Sequence, residues 1–88
     1  MTRKGKIARL PKEIRDQLNH RLDDGRQGNE LVVWLNSLPE VQTVLSKQFE
    51  GNAINKQNLS QWRLGGYREW QRKQERLEIM LQLQRAGV

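Results

Sequence analysis

Ile54-Asn55-Lys56-Gln57-Asn58-Leu59-Ser60-Gln61-Trp62-Arg63 is the stretch on which the fold turns. Ile54, Leu59 and Trp62 are spaced to turn inward on a short helix. Lys56, Gln57, Asn58, Ser60, Gln61 and Arg63 then make an outward polar face, whose donors and acceptors suit phosphates and base edges in a major groove. Asn55 carries the short acceptor of an N-cap, and Gly65-Gly66 closes the segment. Upstream lie Leu45-Ser46-Lys47-Gln48-Phe49 and a Gly51-Asn52-Ala53 break. Val44, Leu45 and Phe49 supply an inner face for the preceding helix. Two short helices with such faces make the pattern of a helix-turn-helix, expected over about residues 41–64.

Moving outward, Leu10, Ile14, Leu18 and Leu22 recur at i, i+4 spacing behind Pro11, so a helix is expected from there to the stop at Gly25. Gly28-Asn29 offers a cap for a second helix containing Leu31, Val32, Trp34 and Leu35. Ser37-Leu38-Pro39-Glu40 has the spacing of a capping box and should start a third, with Val41, Val44, Leu45 and Phe49 inward. Tyr67 to Arg85 contains neither Pro nor Gly and reads as one long helix. No strand-like alternation occurs. The expected fold is all-α, a small bundle of about five helices ending in a long C-terminal one. Residues 1–9 are read as a flexible basic arm, 10–66 as the helical domain, and 67–88 as the long helix.

Charge is unevenly placed along the 88 residues, whose formal net charge is +6. Residues 1–10 hold four basic side chains and no acid, residues 11–50 five against seven, residues 51–65 two against none, and the remainder five against three. The surplus lies on the arm, the polar-faced helix and the last helix, which points to an anionic partner. The expected partner is double-stranded DNA. Lys56, Gln57, Asn58 and Gln61 are the expected base-edge contacts. Arg3, Lys4, Lys6, Arg9, Asn55, Ser60, Arg63, Arg68 and Arg72 are the expected backbone contacts, with the arm placed to track phosphates or enter a minor groove.

The chain offers little for catalysis. It has one histidine, His20, and no cysteine. Asp23-Asp24 lacks further ligands at a recognisable spacing, and Gly65-Gly66 lacks the Lys-Ser/Thr of a phosphate loop. No enzyme activity, cofactor or metal is expected. No apolar run reaches the roughly 20 residues of a membrane span, so a cytoplasmic, non-membrane protein is expected. In the last helix, Tyr67, Trp70, Gln74, Leu77, Leu81 and Gln84 follow a 3-4-3-4-3 spacing like a short heptad seam. Leu77, Met80 and Leu81 are therefore the expected self-association residues of a homo-oligomer. The alternative class is a small helical adaptor or inhibitor that binds another protein through Leu77–Leu83 or the basic face.

Gly5-Lys6-Ile7-Ala8-Arg9-Leu10-Pro11, with Glu13-Ile14-Arg15 and the Ile54–Trp62 segment, resembles small phage and prophage DNA-binding proteins of the Mu-type, small-terminase-like group. The similarity spans most of residues 5–75. It implies a helix-turn-helix fed by a basic arm. Asn55 and Asn58 stand where the group carries hydroxyl residues, Gln61 stands where Arg is common, and the turn Glu50-Gly51-Asn52-Ala53 is longer than in the simplest repressors.

Overall fold

The computed structural model describes residues 5–86, with side chains to Arg85. The chain is all-α. A 3-10 turn, Ile7–Arg9, precedes α1 (Lys12–Asp23), α2 (Gly28–Ser37), α3 (Pro39–Gln48), α4 (Lys56–Leu64) and α5 (Gly66–Ala86). No strand occurs among the described residues. Only Gly65 separates α4 from α5, so the five helical pieces form four rods, the last broken at that glycine.

Each of α1 to α4 contributes a narrow apolar stripe to one core. Leu10, Ile14 and Leu18 come from the start of the chain and α1, Leu31 and Leu35 from α2, Val41 and Leu45 from α3, and Ile54 and Leu59 from α4 and its approach. Leu18, Leu35 and Val41 are completely buried. A fully buried aliphatic side chain contributes about 2 kcal/mol, so no single helix stands without its neighbours. α1 ends as its sequence suggests. Gly25 takes a left-handed φ of 82°, its N–H donates to Leu22 O, and Arg26 N–H donates to Arg21 O, completing a Schellman motif.

The cap of α2 is Gln27 and not Gly28-Asn29, which already lie in the helix, and three further expectations need correction. Pro11 is the N-cap of α1 and not its first helical residue. The capping box at Ser37 does not form. Ser37 is still helical at the end of α2, its hydroxyl donates to Trp34 O at 2.6 Å, and extended Leu38 serves both as C-cap of α2 and N-cap of α3. With one residue between the helices, the Ser37 hydroxyl is spent on its own helix. Thirdly, the described part of residues 1–9 is not a free arm. Ile7 is 2% exposed in the core, Lys6 Nζ donates to Ala53 O at 2.9 Å, and Arg9 Nη1 donates to Gln48 Oε1 at 3.4 Å. One buried isoleucine repays the roughly 1–2 kcal/mol that ordering a residue's backbone costs. Arg3 and Lys4 lie outside the described residues.

The connection between α3 and α4 is held from two sides. Phe49 and Gly51 both donate their N–H to Leu45 O, with Glu50 at φ 55° and Gly51 at φ 79°. Asn36 at the end of α2 then grips Ile54 as a backbone strand would. Its Nδ2 donates to Ile54 O and its Oδ1 accepts from Ile54 N–H, both at 2.9 Å. α4 packs most extensively on α5, α2 and the 3-10 turn, and α2 on α3. α4 is thus seated mainly by α2 and the turn at the start of the chain.

Candidate nucleic-acid interface

α4 begins with a reciprocal cap. Asn55 Oδ1 accepts from Asn58 N–H and Asn58 Oδ1 accepts from Asn55 N–H, each at 2.9 Å. This satisfies two N–H groups at a terminus where the helix dipole favours negative charge. The cap also changes the role of Asn58. Its carbonyl oxygen is committed to the backbone and the residue is half-buried, so only its amide nitrogen is free to reach outward.

Inward, Leu59 is 3% exposed and Trp62 packs against the core. Trp62 Nε1 donates to Asn19 Oδ1 at 2.8 Å, which accounts for the one buried polar side chain among the core residues. Outward, Lys56, Gln57, Ser60, Gln61 and Arg63 are all exposed, and no acid stands on α4. Gln57, Gln61 and Leu64 form one row at i, i+4, i+7, which Leu64 extends at 69% exposure.

Two hollows flank that row. On one side Lys56, Ser60 and Arg63 border a shallow hollow of about 280 Å³ with Gln27, Gly28 and Asn29 at the start of α2. The N-cap of α2, Gln27, makes no side-chain cap bond, so the start of α2 borders the two cations of α4 with its first-turn N–H groups uncapped, and Glu30 of that turn lies 4.0 Å from Arg26. On the other side Asn58, Gln61 and Trp62 border a groove of about 580 Å³ between α1 and the start of α5. Lys12, Arg15 and Lys73 bring positive charge to it, while Asp16 and Glu69 bring negative charge. Asp16 pairs with Lys12 at 3.0 Å.

The remaining expected contacts are scattered. Lys6 and Arg9 lie beside the α3–α4 connection, tied to Ala53 and Gln48. Arg68 and Arg72 are exposed on the side of α5 away from Trp70, at 100° of turn per residue. Tyr67 and Trp70 pack on α1. Trp70 meets His20 edge-on at 5.0 Å between ring centroids, Tyr67 stacks on Trp70 at 6.0 Å, and the Tyr67 hydroxyl donates to Asp23 Oδ1 at 3.4 Å. Partial burial, then the Asp23 carboxylate, push the Tyr67 phenol above its ordinary pKa.

The sequence reading missed Asn36, Asn19 and the start of α2. Asn19 carried a signal, since it sits beside Leu18 on the stripe of α1. Asn36 carried none, because its partner is a backbone group 18 residues away. Among the described residues no three His, Asp or Glu side chains gather as metal ligands, and no helix is long and apolar enough to cross a membrane. No protein-family model, curated protein or solved structure matches this chain.

Proposed function

We propose that this chain is a non-enzymatic double-stranded-DNA-binding protein that presents α4 to the major groove, with α3 and α4 as a helix-turn-helix. The observation that carries this reading is the acid-free, fully exposed outward face of α4 beside the uncapped N-terminus of α2. Backbone N–H groups at a helix start, an ammonium and a guanidinium within one hollow suit a phosphate, and such contacts fix register on a duplex. Gln57 and Gln61 lie on the adjacent row, where amide side chains pair with adenine edges. Asn58 supplies the cap and leaves only its amide NH2 to reach outward. The resemblance to small phage and prophage DNA-binding proteins favours the same reading.

Fluorescence anisotropy of labelled random-sequence duplex DNA, titrated at several salt concentrations, tests it. Micromolar binding that weakens steeply with salt is expected. Lys56→Ala and Arg63→Ala should each reduce the salt slope by about one phosphate contact. Gln57→Ala with Gln61→Ala should instead level any sequence preference while leaving non-specific binding in place. Absence of binding at low salt removes the proposal. Asp16 and Glu69, beside Gln61, favour a second reading in which this groove docks another protein, and that reading takes over if DNA is not bound.

A further inference from the structure

From Arg72 to Arg85 every residue of α5 is exposed, including Leu77, Ile79, Met80, Leu81 and Leu83 at 55–66%. An isolated helical extension of this length is marginal in water, and among the described residues nothing covers these side chains. At 100° per residue, Trp70, Leu77, Leu81 and Gln84 fall within one 60° stripe. Trp70 lies against His20 of α1. The Leu77–Leu81 stripe therefore continues the face by which α5 rests on its own domain, past the point where that domain ends.

We infer that a second copy of this chain covers this stripe, its α5 running antiparallel across a two-fold axis at the level of Ile79, whose own side chain points away from the seam. Gln74 then lies across from the partner's Gln84 and Leu77 across from the partner's Leu81, and the two-fold repeats both layers. The overlap of residues 74–84 spans about 16 Å. The direction follows from space. In a parallel pair the partner's Trp70 segment, with its own α1, would occupy the volume already filled by α1 of this copy. In an antiparallel pair the partner's helix end, at Ala86, arrives beside Arg72, just past the part of α5 that rests on the domain. The self-complementary pattern, Gln-Leu-Leu-Gln read from either end, fits an isologous contact. Met80 faces its symmetry mate on one flank of the seam and Glu78 faces its own on the other.

Sedimentation equilibrium of the full chain, without DNA, should show the mass rising with concentration from 10.4 kDa to twice that value and no further. Leu77→Glu with Leu81→Glu should hold it at the monomer while leaving the helical circular-dichroism signal of the domain in place. Direction is read from single cysteines, because the natural chain has none. Under oxidation Met80→Cys should give a covalent dimer and Gln84→Cys should not. Removing the like charges with Glu78→Gln should tighten the dimer, by about twofold for one such pair. A monomer at every concentration, an assembly larger than two, or cross-linking at Gln84→Cys but not Met80→Cys overturns the inference. Each outcome is independent of whether the protein binds DNA.

Discussion

Gly66 is the residue on which the junction of α4 and α5 depends. A Cβ placed there would lie 2.2–2.6 Å from three carbons of the Trp62 ring, and that ring is anchored by its Nε1–H bond to Asn19. Gly66→Ala should therefore lower stability by about 2 kcal/mol, as overpacking against a fixed side chain does. Gly28→Ala is the control. Its Cβ would meet Leu59 Cδ2 at an ordinary 3.5 Å, and alanine favours the helix, so thermal unfolding should stay level or shift upward. Tyr67 makes a second test at this scale. It is the only tyrosine, so tyrosinate absorbance reports on it alone. With its folded pKa above the unfolded value of about 10, its contribution is present below that pH and is lost as pH rises through the folded pKa. The absorbance midpoint should lie above 10 by this argument, and Asp23→Asn should lower it without restoring the ordinary value, since burial is the larger cause.

The α3–α4 connection shows what an element can and cannot do for itself. Glu50 holds a left-handed φ of 55°, a conformation that costs a residue with a Cβ about 1–2 kcal/mol. Glu50→Gly relieves that strain against the larger unfolded-state entropy of glycine, so a net gain of about 0.5 kcal/mol is expected in chemical denaturation. A loss would mean that the glutamate side chain makes a contact worth more than the strain. The reciprocal Asn55–Asn58 cap was half-visible beforehand. Asn55 is legible as a cap because it precedes an apolar-periodic helix, whereas the return bond of Asn58 depends on a rotamer that no local pattern specifies. Ser37 misled for the opposite reason, since a capping-box spacing holds only where the first residue has left the preceding helix.

Taken whole, the molecule is elongated. Its extents are 53 × 30 × 22 Å and its radius of gyration is 15.3 Å, against about 12 Å for a compact domain of this length. The excess is α5, whose 21 residues span about 31 Å while only its first two turns rest on the body. Amide hydrogen exchange should follow that division. At concentrations too low for association, α1 to α4 and α5 as far as Gln71 should exchange slowly, and residues 74–85 should exchange fast. Uniform protection along α5 in a dilute monomer would mean that the domain stabilises the helix beyond its contacts.

Helical periodicity, the glycine stops and the acid-free polar segment were legible in the sequence because they are local. An i, i+4 stripe declares its helix and its inner face without reference to anything distant. Hence α1 to α5, the core leucines and, Asn58 apart, the outward face of α4 were readable. Whether a residue near the chain start is core or arm was not, because Ile7 is fixed by helices from distant parts of the chain. Asn36 and Asn19 took their roles from partners 18 and 43 residues away. Their meaning lies in long-range hydrogen bonds between buried or half-buried polar groups, and only the tertiary packing decides which groups meet.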